Sequence, residues 1–311
     1  MIKNILTITL NPTVDKSTTV DTIKPEKKLR CTTPKFEPGG GGINVSRGLA
    51  RLGITSTALF ISGGRTGELL EQLLEEERIT IHPVKVAAET RENFIVVDTS
   101  HNEQYRFGMP GEDISPAEVE QLTQILTNLS PVPEIVIISG SLPPGIDAAF
   151  MRTLVKGLKA KGAKVIADTS GEALTEVLKE GVYLLKPNLG ELSALTGREE
   201  LDNESADEAA KQLIDEGKAE IVVVSLGPQG AYLVSKEESI HVPAPSVKKL
   251  STVGAGDSMV AGMVAILSNG GSLLEMARMG VACGSAATMS TGTGLFTKEN
   301  AERLYKWLSR Q

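Results

Sequence analysis

Residues 251–258 read Ser-Thr-Val-Gly-Ala-Gly-Asp-Ser, and the run that follows them is small and apolar. This pattern predicts a glycine turn that opens an apolar helix, with the carboxylate of Asp257 in the first helical turn. Backbone N–H groups at a helix start have no partners within the helix, and the helix dipole adds partial positive charge. Three residues are too small to screen these donors: Gly254, Ala255 and Gly256. The stretch therefore predicts an anion site with a proton acceptor beside it, as phosphoryl transfer to a hydroxyl requires. For the motif taken alone, a plain turn before an ordinary helix is the alternative.

The composition is typical of a single domain with one large core. The chain has 311 residues, of which 41% are hydrophobic, and we expect one domain over residues 1–311. The formal net charge is −7 with interspersed signs, and aromatic residues make up 4%, which argues against nucleic acid as a partner. Cys31 and Cys283 are far apart and lack metal-ligand spacing, so they indicate reduced thiols in a cytoplasmic protein. The N-terminal stretch is too short and polar for a signal peptide, and no run approaches membrane-spanning length, so we expect no membrane partner.

Short β-rich runs alternate with longer helical patterns along the chain. Strands are predicted at residues 5–10, 56–61, 134–139, 164–168, 183–186 and 221–225. Helices are predicted between them, at residues 43–52, 66–77, 147–161 and 206–216. This alternation predicts an α/β fold with a doubly wound, mainly parallel sheet flanked by helices, and ligands outside the carboxyl ends of the strands.

Two segments, at about residues 16–36 and 90–107, do not follow this alternation. Both are polar and β-prone, carry basic residues and have no helix of their own after them. They could be plain surface hairpins. The alternative that we favour is a small β-sheet lid over the ligand edge.

Polar side chains and glycines cluster where the sheet would present its ligand edge. Asp15 follows the first strand, although Asp in a loop is often only a turn former. Residues 37–44 read Glu-Pro-Gly-Gly-Gly-Gly-Ile-Asn and precede a helix predicted at residues 45–52. Four consecutive glycines, including Gly39 and Gly40, favour close backbone approach to a ligand over a flexible loop. The amide of Asn44 can bond to sugar hydroxyls.

Three further clusters end predicted strands. Residues 138–145 contain Ser141 between small residues and prolines, and a plain turn is the alternative there. Residues 185–192 read Leu-Lys-Pro-Asn-Leu-Gly-Glu-Leu, in which Asn188 is predicted to cap a helix with Glu191 as its capping-box partner. A carboxylate in that first turn can also hold Mg²⁺ through water. Residues 224–230 form a third, glycine-rich loop.

Together these motifs resemble those of the PfkB branch of the ribokinase family. The resemblance covers the whole chain and rests on Gly42-Ile-Asn44, Lys186-Pro-Asn-x-x-Glu191, Ser225-Leu-Gly-Pro-Gln-Gly230 and Val253-Gly-Ala-Gly-Asp257. The chain lacks the P-loop, dinucleotide, protein-kinase and hydrolase-elbow motifs. The resemblance implies ATP-dependent phosphorylation of a sugar hydroxymethyl group on a ribokinase-like α/β fold with a β-sheet lid.

The resemblance also implies a role for each site residue. Asp257 is the general base, and the amides of Gly254, Ala255 and Gly256 form the anion hole. The sugar is held by Asp15, Gly39, Gly40, Asn44 and Ser141. The nucleotide is held by Lys186, Asn188, Ser225, Gly227, Gly230 and Gly284, and Mg²⁺ by Glu191. Members of the family can also bind K⁺. Ser251 stands where many of them have Asp, so the resemblance does not directly imply a K⁺ site in this chain.

The first glycine cluster and the lid indicate which sugar phosphate is the substrate. Relatives that act on fructose 1-phosphate or tagatose 6-phosphate usually have Lys where this chain has Gly41. Four lid cations could clamp a phosphate, with solvated lid charges as the alternative: Lys28, Arg30, Arg91 and Arg106. We therefore expect phosphorylation of the 1-hydroxyl of fructose 6-phosphate to fructose 1,6-bisphosphate. Tagatose-6-phosphate kinase, 1-phosphofructokinase and a non-catalytic sugar-phosphate sensor are the alternatives.

The lid also predicts self-association. Phe94 and Val96 alternate with Ile95 and Val97, so one lid face would be apolar and exposed. A second copy would cover that face in a homodimer, in which Lys28 could reach the neighbouring active site.

Overall fold

Two separate β-sheets dominate the structure, a computed structural model that describes residues 4–198, 201–202 and 205–311. In chain order the strands are β1 (Ile5–Thr9), β2 (Thr13–Val20), β3 (Lys35–Gly39), β4 (Thr57–Ser62), β5 (Thr80–Lys85), β6 (Arg91–Asp98), β7 (Glu103–Phe107), β8 (Ile135–Ser139), β9 (Lys164–Asp168), β10 (Val182–Leu185), β11 (Ala219–Ser225), β12 (Ala231–Val234) and β13 (Ser239–Val242). The helices are α1 (Gly41–Arg51), α2 (Gly64–Glu76), α3 (Pro116–Thr127), α4 (Ala148–Ala160), α5 (Gly171–Leu178), α6 (Leu189–Thr196), α7 (Ala206–Asp215), α8 (Ala255–Ser268), α9 (Leu273–Thr288) and α10 (Lys298–Leu308).

The larger sheet has the strand order β13-β12-β11-β10-β9-β8-β1-β4-β5. Neighbouring strands from β11 to β5 run parallel, and β12 and β13 add an antiparallel edge. Strand β8 reads Ile-Val-Ile-Ile-Ser and is buried at every position, as expected for a parallel strand covered on both faces. In the large sheet, β4 lies on one side of β1, and β8, which comes later in the chain, lies on the other side. The gap between the ends of β1 and β8 is therefore the switch point at which such sheets bind ligands.

Helices cover both faces of this sheet and form two hydrophobic layers. One layer joins the sheet to α4, α5 and α7 through side chains such as Val155, Val177 and Leu213. The other joins it to α1, α8 and α9, with Leu49 and Val264 in its interior. The predicted α/β class and the doubly wound, mainly parallel arrangement are confirmed.

The smaller sheet, which we call the lid, has the strand order β3-β2-β6-β7. Asp15 pairs with Glu37 and Asn93, and Ile95 pairs with Arg106, so the odd-numbered residues of β2 and β6 share a face with Glu37 and Arg106. The opposite face carries aromatic side chains, among them Phe94 and Phe107. The division of residues 1–311 into one domain with a lid at 16–36 and 90–107 stays a prediction.

The predicted strands and helices end within about two residues of the observed ones. Two local expectations need correction. Helix α1 begins at Gly41, so the glycine run supplies its first turn instead of a preceding loop. Residues 21–34 lie outside the strands, although the whole segment 16–36 was predicted to be β-prone. This stretch is polar and includes Pro25, which has no backbone N–H to donate to a neighbouring strand. In the described ranges no helix is long and apolar enough to cross a membrane.

Candidate active site

The first turn of α8 lies at the switch point of the large sheet. Gly254 caps α8 with φ 72°, a left-handed conformation that glycine adopts without strain, and no side chain caps this helix end. An added Cβ at Gly254 would come 2.6 Å from Leu295 Cδ2, so a larger residue would also have to displace this side chain. The sequence-predicted glycine turn and the position of Asp257 in the first turn agree with this geometry. The backbone N–H of Ala255 donates to Thr252 O at a long 3.4 Å, and no side chain caps residues 254–256, so this helix start is suited to an anion.

Asp257 is surrounded by polar side chains from three other elements. The Nδ2 atom of Asn44 donates to Asp257 Oδ2 at 3.0 Å, and Ser139 Oγ lies 3.5 Å from Oδ1. Desolvation raises the pKa of Asp257 to about 7, and the negative charge of Asp168 adds to the increase. The hydrogen bond from Asn44 and the charge of Lys186 act in the opposite direction. A carboxylate with such a pKa is suited to accept a proton near neutral pH.

A buried ion pair lies on the nucleotide side of Asp257. Lys186 Nζ is 3.1 Å from Asp168 Oδ1, and 3.5 Å from the position of a Cβ added to Gly256. Burial is the largest single effect on Lys186 and lowers its pKa, but the charge of Asp168, the hydrogen bond to it and the charges of Asp257 and Glu191 together raise this pKa. Lys186, predicted to bind nucleotide, therefore stands charged beside the first turn of α8. Sequence reasoning missed Asp168, although its place at the carboxyl end of a predicted strand was a usable signal.

The capping box predicted for residues 188–191 is present. Asn188 accepts from the backbone N–H of Glu191, and the Glu191 carboxylate accepts from the backbone N–H of Asn188, both at 2.9 Å. The backbone N–H of Ser225 donates to Pro187 O at 3.0 Å, which joins this helix start to the end of β11. The predicted nucleotide segments 185–192 and 224–230 are thus brought together.

The glycines predicted to bind nucleotide differ in their surroundings. Gly227 has φ 59°, and a Cβ there would meet nothing within 4 Å, so its backbone faces open space. Gly230 has φ 97° and closes the turn by accepting from the backbone N–H of Leu226 at 2.8 Å. Gly284 is buried within α9, where a Cβ would lie 3.2 Å from Ala255 O. Its small size lets α9 approach the start of α8.

Asp15 lies on the lid face that looks toward the switch point. It is buried, and desolvation raises its pKa. Asn93 donates to Asp15 Oδ1 at 3.0 Å. A Cβ on Gly39 would come 2.7 Å from Asp15 Oδ2, so this glycine is required for the carboxylate to fit. Sequence reasoning did not identify Asn93, which is adjacent to Asp15 only through the parallel pairing of β2 and β6.

The glycine run places the start of α1 beside the start of α8. Gly40 caps α1 with φ 115°, and a Cβ on Gly41 would come 2.9 Å from the backbone N of Gly140. Asn44, in the first turn of α1, was expected to bond to sugar hydroxyls, but its amide N–H is directed at Asp257 in the structure. Ser141 accepts from Asn11 Nδ2 at 3.2 Å and so lies at the end of β1. Sequence reasoning missed Ser139, the last residue of β8, whose Oγ lies 3.5 Å from Asp257 Oδ1.

The four lid cations do not form one cluster within a chain. The Arg91 guanidinium donates to Asn11 O at 3.0 Å and to Met109 O at 2.7 Å, which anchors it at the lid base. Arg106 is exposed on the lid face that carries Asp15. Lys28 and Arg30 are exposed in residues 21–34, a segment whose Leu29 and Cys31 border the opposite face beside Phe94. The expected clamp of all four residues is therefore not formed within one chain: Arg91 and Arg106 lie on the lid face that carries Asp15, and Lys28 and Arg30 lie beside the opposite face.

Two contacts tie the lid to the loops around α8. Thr293 Oγ1 donates to Glu37 Oε2 at 2.9 Å, and Ser251 Oγ lies 3.5 Å from Gln104 Oε1. Ser251 Oγ also donates to Gly292 O at 2.9 Å. Lid strand β3 is thus connected to the loop between α9 and α10, and β7 to the stretch that precedes the glycine turn.

Comparison with known proteins agrees with this geometry. Residues 4–300 match the pfkB family of carbohydrate kinases. The ATP-dependent 6-phosphofructokinase isozyme 2 of Escherichia coli K12 is 47% identical over 307 residues, which are 98% of this chain and 99% of the relative. A 1-phosphofructokinase of Xanthomonas campestris is 35% identical over 87% of this chain and 86% of the relative. The crystal structure of phosphofructokinase-2 from Escherichia coli in complex with fructose-6-phosphate superposes with a TM-score of 0.93 at 45% identity, covering 99% of this chain and 100% of that one.

The fold and the site define a ribokinase-like sugar kinase architecture. The chain belongs to the pfkB family of carbohydrate kinases.

Proposed function

We propose that the protein is an ATP-dependent 6-phosphofructokinase that transfers the γ-phosphoryl group of ATP to the 1-hydroxyl of fructose 6-phosphate. The observation that carries the proposal is the position of Asp257, a carboxylate with a pKa near 7 beside an uncapped helix start. Binding alone needs no such base, which argues against a sugar-phosphate sensor. The full-length similarity to the 6-phosphofructokinase of Escherichia coli supports the choice of substrate.

In this proposal Asp257 accepts the proton of the 1-hydroxyl as that oxygen bonds to the γ-phosphorus, while the bond from this phosphorus to the β,γ-bridging oxygen breaks and ADP leaves. The amides of residues 254–256 stabilise the charge on the transferred phosphoryl group, because they are fixed before the reaction begins. The loose transition state of phosphoryl transfer requires little prior deprotonation, so a weak base suffices. General-base assistance supplies about 10²–10⁴-fold, and alignment of the two substrates supplies more.

The donor would lie over the side of the site formed by the ends of β9, β10 and β11. Lys186 places a positive charge beside the first turn of α8, and Ser225 and Gly227 offer an open edge to the nucleotide. Mg²⁺ usually binds to one or two carboxylates together with the substrate phosphates, and Glu191 could supply one such carboxylate. The described residues contain no cluster of three metal-ligating side chains, which this mode of binding does not require. When bound, Mg²⁺ neutralises charge on the phosphates. Dependence on K⁺ and a cytoplasmic location stay predictions.

The acceptor would lie between Asp257 and the lid. Asp15 can accept hydrogen bonds from sugar hydroxyls, and Arg106 on the same lid face can bind the 6-phosphate. Lys28 and Arg30 lie in a segment beside the other lid face. They could therefore add positive charge to the phosphate site of a neighbouring chain. A homodimer formed through the lids would cover the aromatic face and bring these cations toward the partner's site.

A coupled kinase assay across three sugar phosphates tests the proposal. Fructose 6-phosphate should have the highest kcat/KM, ahead of tagatose 6-phosphate and fructose 1-phosphate, with ATP as the donor. Asp257→Asn, assayed in parallel, shows that the measured activity belongs to this site. A higher kcat/KM for fructose 1-phosphate would replace the proposal by 1-phosphofructokinase, and no turnover on any of them would favour the sensor.

A further inference from the structure

Among the residues that the structure describes, Arg47 is the largest fully buried side chain, and it lies one helical turn beyond Asn44 in α1. Its side chain is 2% exposed. The guanidinium forms two bonds to Glu77, from Nε to Oε2 at 2.8 Å and from Nη2 to Oε1 at 2.6 Å. The remaining nitrogen, Nη1, donates to Pro38 O at 3.0 Å and to Asn44 Oδ1 at 3.2 Å. Arg47 therefore contacts the amide that binds Asp257.

The contact between Arg47 and Asn44 determines which way the Asn44 amide points. A guanidinium has only donors, so only the oxygen of the amide can face it. The NH₂ group is then directed to the other side, where it donates to Asp257 Oδ2 at 3.0 Å. The two ends of an amide have nearly the same shape, so packing alone does not select this orientation. Without Arg47 the amide could rotate and present its oxygen to the carboxylate, which is repulsive.

We propose that Arg47 is a positioning residue for phosphoryl transfer: it orients the Asn44 amide, which holds Asp257 Oδ2 and leaves Oδ1 for the acceptor hydroxyl. The inference rests on the proposed role of Asp257 as the base. The bond to Pro38 O also fixes the end of β3, so the same guanidinium sets the chain entering α1. Glu77 holds the guanidinium in the plane that makes these bonds. A buried arginine is costly unless all its donors are used, and an apolar side chain would fill the same space.

The test is the variant Arg47→Met, with Arg51→Met as its matched control. Arg51 lies on the same helix and donates to Phe296 O at 2.6 Å, away from Asn44. Both variants leave Asp168 and Lys186, the charges that face Asp257, unchanged.

In Arg47→Met the acid limb of the kcat/KM profile for the sugar phosphate should move to higher pH by about one unit, because a hydrogen bond to the ionised carboxylate is lost. The kcat at the optimum should fall by about tenfold or more, with the KM for ATP unchanged. Arg51→Met should reduce stability without moving the limb.

A ¹³C-carboxyl NMR titration, with the Asp257 signal assigned from the Asp257→Asn spectrum, gives the same midpoint without turnover. It separates failure of this inference from failure of the proposed function, because it needs no substrate. If Arg47→Met does not fold, the double variant Arg47→Met/Glu77→Gln removes the charge left on Glu77. A midpoint that coincides with the parent's, an equal shift in Arg51→Met, or misfolding of both Arg47 variants would overturn the positioning role.

Discussion

The amide of Asn44 donates to the carboxylate of Asp257 at 3.0 Å, although the two residues are 213 positions apart. Each stands in the first turn of a helix whose N-cap residue is glycine, Gly40 for α1 and Gly254 for α8. Two helix starts therefore meet at the switch point of the sheet, and the positive ends of both dipoles face the same space. This pairing is the centre of the candidate active site.

Replacing Asp257 by Asn should remove the base and preserve the shape of the side chain. We expect kcat to fall by at least about a hundredfold, about 3 kcal/mol, with little change in the KM for ATP or sugar phosphate. Steady-state kinetics at saturating substrate measure this. Glu275→Gln is the control, because Glu275 is also a first-turn carboxylate but caps α9 away from the site. Turnover within a few-fold of the parent would rule out Asp257 as the base.

The pH profile should show the raised pKa of Asp257 directly. The base acts when ionised, so kcat/KM should rise with pH through a midpoint near 7 instead of near 4. Asp168→Asn removes the negative charge that helps to raise this pKa and leaves the hydrogen bond from Asn44 in place. Its midpoint should therefore move to lower pH. A midpoint that stays in place or moves upward in Asp168→Asn would contradict this electrostatic account.

The two lid arginines on the sugar side should respond differently to removal. Arg106→Ala should raise the KM for fructose 6-phosphate by about tenfold or more without lowering the melting temperature, because Arg106 is exposed. Arg91→Ala should raise the same KM and also destabilise the protein, since its guanidinium donates to Asn11 O and Met109 O. Kinetics and thermal unfolding distinguish the two effects. Arg152→Ala, on distant α4, serves as the control. An unchanged sugar-phosphate KM in Arg106→Ala would remove that residue from the proposed phosphate site.

The aromatic lid face should be an interface between two copies of the chain. Phe107 is 50% exposed there and its ring centroid is 6.5 Å from that of Phe94. Phe107→Asp should dissociate the dimer and lower activity, because an unsupported lid no longer excludes water from the site. Light scattering across a dilution series, with activity measured in parallel, tests this. Trp307→Asp changes an equally exposed aromatic residue on α10 and should leave both unchanged. A fully active monomer of the parent protein would contradict the lid interface.

Much of the local structure was predictable because it depends on neighbouring residues. The capping box of Asn188 and Glu191 spans three positions, and the left-handed turn at Gly254 depends on one glycine. The lid sheet was expected from two β-prone segments, but its strands extend further toward the glycine run and leave residues 21–34 outside. The separation of Lys28 and Arg30 from Arg106 was not predictable, because sequence does not report on which side of a sheet a connecting segment runs.

The sequence by itself determined the class of fold, the glycine turn at the start of α8 and the position of Asp257 in the first turn of that helix. These features follow from apolar periodicity, backbone freedom and capping, which act over a few residues. Only the tertiary structure decided that Asn44 faces Asp257, that Lys186 pairs with Asp168 and that Arg47 orients the Asn44 amide. The physical reason is the strand order: the crossing from β1 to β4 on one side and to β8 on the other brings distant strand ends together. The carboxylate thus acquires its hydrogen-bond partners and its raised pKa from residues far away in the chain.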